Sequence, residues 1–194
     1  MVILQGLTRL RQIANHPSMV DETYKFDSGK MEEILRRLDN LHNESHKVLI
    51  FSTFVKHLKL VAGELDARNY GYCMLTGETH KRKEVIDEFI ANDSKSCFLI
   101  SLKAGGVGLN LTVADYVFML DPWWNPAAEA QAINRAHRIG QKNNVFVYRF
   151  ISHNSIEEKI VHLQQRKKEL ADTFVNSANP FKSFNKDSIM KLFD

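Results

Sequence analysis

Two arginines three residues apart lie inside the stretch QAINRAHRIGQ at positions 131–141. Arg135 and Arg138 are planar and permanently charged, and their spacing puts them on one face of a helix. Such a pair suits a highly anionic partner, and it equally suits a solvated helix end. Two other stretches could meet an anion. In LTGETHKR, at 75–82, Gly77 and Thr79 offer backbone and hydroxyl donors, and Arg82 adds a charge just before a helix, where phosphate is favoured. An ordinary turn with a threonine cap fits those residues as well. In SLKAGGVGLNLT, at 101–112, glycines at 105, 106 and 108 permit close backbone approach to a ligand, or simply make a flexible loop. A G-x-G-x-x-G fingerprint would need glycine where Leu111 stands, so a dinucleotide site is excluded there. The sequence contains no G-x-x-x-x-G-K-[ST] and no D-E-x-H magnesium motif. Nucleotide chemistry would therefore need a phosphate cradle supplied from elsewhere.

These segments require a frame. At 194 residues and 44% hydrophobic content, the chain can bury the core of one α/β domain. It carries no bilayer-length apolar run and no signal-peptide pattern at Met1, so a soluble intracellular protein is expected. Cys73 and Cys97 sit in separate apolar runs and read as buried thiols without a disulfide. The eight histidines show no metal-ligand spacing, and the formal charge of +3 is compatible with nucleic acid without requiring it.

Leu4, Leu7, Leu10 and Ile13 mark a first helix, stopped by Asn15, His16 and Pro17; a polar linker over 21–29 follows. Met31, Ile34, Leu35, Leu38 and Leu41 mark a second helix. From position 47 the pattern changes. The apolar runs KVLIFST, YCMLT, SCFLIS, DYVFML and VFVYRFI alternate with helical segments at 54–68, 81–91 and 126–138. Short buried strands alternating with helices predict a mostly parallel central sheet covered on both faces. In such a sheet, ligands bind beyond the carboxyl ends of the strands. For the segment 126–138, Asn125 is the expected N-cap, Pro126 suits the first turn, and Gly140 suits a left-handed closing residue. Ala128, Ala132 and Ala136 give that helix a small-residue face for close packing. A capping box from Ser155 to Glu158 starts the last long helix, which runs to about Phe174. SIMKLF near the terminus reads as a short helix docking by Ile189, Leu192 and Phe193.

LRQIANHP, VLIFSTF, LTGETHKR, SLKAGGVGLNLTVADYVFMLDPWWNPAAEAQAINRAHRIGQ and SIEEKI, in that order, resemble the C-terminal half of Swi/Snf-family DNA-dependent ATPases. The resemblance covers nearly the whole chain. It implies the second of two RecA-like lobes, which closes over a nucleotide held by a first lobe carrying the phosphate loop. It implies that Arg135 and Arg138 are arginine fingers in trans, with Gln131, Gly108 and Asn110 approaching ATP. It implies DNA-backbone contacts from Gly77, Thr79, Arg82, Ser101 and Lys103, weaker ones from Ser52 and Thr53, and a cleft-side aromatic in Trp124 that could equally be core. Trp123 is expected to be buried. The implied cofactors are ATP and Mg2+, and the implied partners are duplex DNA and an N-terminal ATPase lobe, without membrane or stable homo-oligomer. The expected layout is a connector helix and linker over 1–28, the RecA-like lobe over 29–178 and a tail over 179–194. A strand-separating DNA or RNA helicase and a non-catalytic binding scaffold are the alternatives. The lack of a basic nuclear address and of insertions between motifs leans towards a bacterial source, with a nuclear setting if the source is eukaryotic.

Overall fold

The computed structural model describes residues 2–104, 110–137, 141 and 143–176. Five strands form one sheet: β1 (Val48–Ser52), β2 (Gly71–Leu75), β3 (Lys95–Ser101), β4 (Tyr116–Met119) and β5 (Phe146–Arg149). Their order is β2-β3-β1-β4-β5, and every pairing is parallel. β1 is the central strand: Ile50 lies between Leu99 and Phe118, and Phe51 between Ile100 and Met119. All five of its residues are buried, which explains why its sequence is a continuous apolar run rather than an alternating one.

Alternate residues of the sheet feed two cores. Val48, Ile50, Leu99 and Phe118 pack with Met31, Ile34 and Leu38 of α2 (Gly29–Asn43) and with Leu58, Val61 and Leu65 of α3 (Val55–Ala67). Leu49, Phe51, Phe98, Ile100 and Met119 face the other way, towards Phe89 of α4 (Arg82–Ala91) and Ala132 of α5 (Pro126–Ile133). The expected parallel sheet with helices on both faces is therefore the fold. Cys73 and Cys97 are buried free thiols, and burial pushes the Cys97 thiol up to about 12, so neither is poised as a thiolate. At Gly71 a Cβ would stand 2.0 Å from the Ser94 carbonyl oxygen, so the close approach of β2 to the turn before β3 demands glycine there.

Outside the sheet lie α1 (Val2–Asn15), a single 3-10 turn at Pro17–Met19 and α6 (Ile156–Asn176). α1 forms where its apolar stripe predicts, yet Leu4 is 69% exposed and Leu10 and Ile13 are also exposed. The residues it buries are Arg11 and Asn15.

Ser28 caps α2 by accepting from the Met31 amide, which ends the polar linker. The start of α6 departs from a full capping box. Ser155 Oγ accepts from the Glu157 amide, whereas Glu158 receives the amide of Asn154. The residues read as a terminal docking helix lie outside those described.

Candidate nucleotide and nucleic-acid interface

With all strands parallel, their carboxyl ends open on one rim, and most of the loops singled out from the sequence start there. After β1, Ser52 is fully buried; its hydroxyl donates to Asp121 Oδ2 at 2.5 Å and accepts from the Phe54 amide at 3.0 Å. Thr53 is half-buried, and both its amide and its hydroxyl donate to the Asp121 carboxylate. Ser101, at the end of β3, is buried beside Ser52 in the register. These three residues end the strands from within, and Ser52 has no hydroxyl left for an outside ligand.

The loop after β2 is different. Thr79 Oγ1 accepts from the Thr76 amide at 3.0 Å and so closes the turn on itself, leaving the exposed backbone of Gly77 at its tip. Gly77 adopts no left-handed conformation, and a Cβ there would meet nothing within 4 Å. Neither the backbone nor the packing of this chain requires a glycine at 77. Arg82, the first residue of α4, donates to the Ala104 carbonyl and so joins the loop after β2 to the loop after β3. Lys103 is exposed on that second loop.

After β4 comes the turn 121–125. Its Asp121 is fully buried. Burial pushes its carboxyl up from the ordinary range, while hydrogen bonds from Ser52 and Thr53 and the charges of Arg11 and Lys30 act against that rise. The turn is also gripped on its outer side. Glu129 Oε1 accepts from the Trp123 amide at 2.7 Å and from Gln164 Nε2 at 2.8 Å, and Gln164 also donates to the Trp123 carbonyl. Trp123, expected to be buried, is half-buried, as is Trp124. Asn125 caps α5 by accepting from the Ala127 amide at 3.1 Å, with Pro126 as the first helical residue.

α5 is shorter than the sequence suggests. It ends at Ile133 rather than continuing through 138. The Arg135 amide bonds back to Ala132 and the Ala136 amide to Ile133, so the helix tightens to i→i+3 bonding. The Arg135 carbonyl accepts from the Leu111 amide at 3.1 Å, which ties this turn to the end of the glycine loop. Arg135 itself is 6% exposed and so points inward, not along an open helix face. Arg138 and Gly108 lie outside the described residues. Gln131 is exposed on α5, and Asn110 is exposed where the chain returns from the loop. Ala132 and Ala136 are buried against the sheet, as their small-residue spacing predicts.

Three residues that hold this rim were not singled out from the sequence: Arg11, Lys30 and Glu157. Lys30 Nζ donates to Glu157 Oε2 at 2.6 Å, to Asn15 Oδ1 at 3.1 Å and to the Leu120 carbonyl at 3.1 Å. Glu157 Oε2 also accepts from the Ser152 amide at 2.8 Å. The available signal was a charged residue at a helix start or on the polar face of an amphipathic helix, which ordinarily means solvent. The carboxylates Asp121, Glu129 and Glu157 are all engaged by protein donors. Both oxygens of Asp121 and one oxygen of Glu129 accept from the protein, while Glu157 Oε1 is buried without a partner.

The sequence and the fold are matched by known proteins. Residues 29–140 match the model of the helicase conserved C-terminal domain. The chain belongs to that family, in its Swi/Snf branch. It is 39% identical over 182 residues to the ISWI chromatin-remodeling complex ATPase ISW2 of Saccharomyces cerevisiae, covering 87% of this chain and 16% of that protein. It is 40% identical over 184 residues to the human SWI/SNF-related matrix-associated actin-dependent regulator of chromatin subfamily A member 1, covering 88% of this chain and 18% of the relative. The chain thus spans about one-sixth of the length of these relatives. Among solved structures, the Sulfolobus solfataricus SWI2/SNF2 ATPase core domain aligns with a TM-score of 0.74 at 32% identity, over 98% of this chain and 40% of that one. The C-terminal part of the Fun30 ATPase domain aligns with a TM-score of 0.68 at 33% identity, over 79% of this chain and 52% of that one. The expected bacterial source finds no support in these relatives, which are yeast, human and Sulfolobus proteins. Among the described residues, no helix is long and apolar enough to cross a membrane.

Proposed function

We propose that this chain is the second motor lobe of an ATP-dependent duplex-DNA translocase, supplying charge to a nucleotide held by a preceding lobe and gripping one DNA strand by its phosphates. The observation that carries this reading is that Gly77, Thr79, Lys103 and Trp124 lie on loops leaving the carboxyl rim of a parallel sheet whose sequence has no phosphate loop. Gly77 and Lys103 are exposed, and the buried Ser52, Ser101 and Asp121 fix the strand ends beneath them.

ATP with Mg2+ supplies the transferable phosphoryl group. This chain's residues would surround it: Asn110, Gly108 and Gln131 beside the nucleotide, with Arg135 and Arg138 placing guanidinium charge where phosphoryl oxygens gain it. Arg135, at the base of its turn, has to turn outward or act through the backbone bond to Leu111. Thr53, Gly77, Thr79, Arg82, Lys103 and Trp124 would line the DNA track. Such contacts give grip without reading sequence. Relatives named for chromatin remodelling favour a nuclear setting.

The test is ATP hydrolysis by the protein joined to its preceding lobe, with and without saturating duplex DNA. Stimulation by duplexes of unrelated sequence supports the reading. No stimulation, or hydrolysis by the 194-residue chain alone, overturns it.

A further inference from the structure

α1 presents its charged side to the protein and its apolar side to solvent. Ile3, Leu4, Leu10 and Ile13 are exposed, whereas Arg11 is 4% exposed. Burying an arginine is costly unless its charge is answered, so what answers it sets the orientation of the helix.

Arg11 Nη2 donates to Thr53 Oγ1 at 3.0 Å, to Asp121 Oδ1 at 3.2 Å and to the Pro122 carbonyl at 2.9 Å. Three aromatic rings surround the same group. The guanidinium carbon stands 4.9 Å from the ring centroid of Phe54, 5.2 Å from Trp123 and 5.9 Å from Trp124. Every one of these partners sits on the loops after β1 and β4. Within the next turn α1 is fastened three times more: Lys30 Nζ holds Asn15 Oδ1, Ser28 Oγ donates to the Asn15 carbonyl at 3.2 Å, and Ser152 Oγ donates to the Ala14 carbonyl at 2.6 Å. The first half of α1 has no such attachment among the hydrogen bonds of the described residues; its one side-chain bond there, Thr8 to Leu4, is internal.

We propose that Arg11 is a positioning residue that locks α1 to the 121–125 turn, so that the helix, Trp124 and the N-terminus of α5 move as one body. Displacement of the free half of α1 is then transmitted through Arg11 to the rim. The functional half of this inference rests on the reading above, in which that rim meets DNA and α1 follows another lobe. The lock itself does not depend on that reading.

The chain's two tryptophans, Trp123 and Trp124, both face Arg11, so intrinsic fluorescence reads the lock directly. In the 194-residue chain, Arg11→Gln is expected to keep the wild-type far-ultraviolet circular dichroism while acrylamide quenching of tryptophan rises about two- to five-fold. Arg11→Lys should fall between the two, because an ammonium keeps the charge near the rings but lacks the flat guanidinium face that packs on them. Arg149→Gln, which removes only a contact 3.6 Å from Glu129 on the far side of the turn, should quench as wild type. A folded Arg11→Gln chain with wild-type quenching overturns the lock. If Arg11→Gln does not fold, Arg11→Lys is judged by the same criterion.

In the protein carrying the preceding lobe, Arg11→Gln should raise the DNA concentration for half-maximal ATPase stimulation several-fold and leave the KM for ATP unchanged. A fall in maximal rate alone, which loss of folded protein also produces, overturns the transmission. A wild-type protein without DNA stimulation overturns the function proposed above, while the quenching result still decides the lock.

Discussion

The rim of the sheet divides into an inner and an outer set of polar residues. Ser52, Ser101 and Asp121 are buried, and the hydrogen bonds of Ser52 and Asp121 are made to the protein itself. Gly77 and Lys103 are exposed, and the Thr79 hydroxyl closes its own turn. Both sets sit in the same motif segments, often a few residues apart. The difference teaches that a motif in this chain is two devices in series: a buried residue that fixes where a strand ends, and an exposed one that the fixed end presents. Loss of the first should appear as lost stability, and loss of the second as lost binding or turnover with the fold intact.

The largest expected effect breaks this division where it is least settled, at the two arginines. In the protein with its preceding lobe, Arg138→Ala or Arg135→Ala should lower DNA-saturated ATP turnover by about 10³-fold or more, and lysine should restore little of it. Arg135→Ala should also lower the thermal midpoint of this chain, because it empties a buried site. Near-normal turnover in both variants would return the arginines to a structural role.

Asp121→Ala tests the inner set. It leaves Arg11 buried without its carboxylate and strips the acceptor from Ser52 and Thr53, so urea titration should show a loss of about 3–5 kcal/mol. A loss below 1 kcal/mol would mean that the cluster is not what ends the strands.

His57 offers a pH test of the same buried layer. Both its ring nitrogens are buried without a partner, and burial, helped by the charges of Lys30 and His16, drives the imidazole down to about 3. A depressed folded value means that the stabilising contribution is present above the ordinary value near 6.5 and is lost as pH falls from there towards 3. Wild type should therefore lose a few kcal/mol more than His57→Leu between pH 7 and pH 4, measured by denaturant titration at each pH. Parallel pH profiles would show that His57 protonates without cost.

The smallest effects belong to the outer set and to Arg82, which joins the two loops that carry it. Arg82→Gln should weaken duplex binding equally across sequences and lower the salt slope by about one. Gly77→Ala should change stability by less than about 0.5 kcal/mol, since nothing in the chain fills the space, yet weaken duplex binding in the same titration. Unchanged binding would remove the 77–79 turn from the track.

Legibility in the sequence followed the same division. The strands were legible because apolar runs such as VLIFS admit few other readings, and the rim followed from their parallel order. The exposed residues of LTGETHKR and SLKAGGVGLNLT were found because glycine, lysine and threonine at strand ends carry an obvious chemistry. Ser52 and Ser101 read from the sequence as contact residues, since a serine in a motif does not reveal which way its hydroxyl points. The end of α5 is not legible because the alanine spacing continues to Ala136 while the bonding tightens from Arg135, whose carbonyl meets Leu111 in another loop. The inward turn of Arg11 was hidden by the apolar stripe on the opposite side of its own helix. Its partners on the loops after β1 and β4, such as Asp121, 110 residues away in sequence, reveal it.

The strand order also sets a schedule for synthesis. β1 is the most apolar strand and the first to leave the ribosome, but its neighbours are β3 and β4. Val48 pairs with Tyr116, so about 70 further residues must be made before its second edge is covered, roughly 4–14 s at ordinary elongation rates. Early in that interval, before α4 at 82–91 is made, β1 has beside it only α2 and α3, which pack against one of its faces, and α5 of the second face follows only after β4. The nascent chain therefore carries a half-covered, open-edged apolar strand for seconds, and aggregation during expression should begin at VLIFS rather than at any surface of the completed lobe.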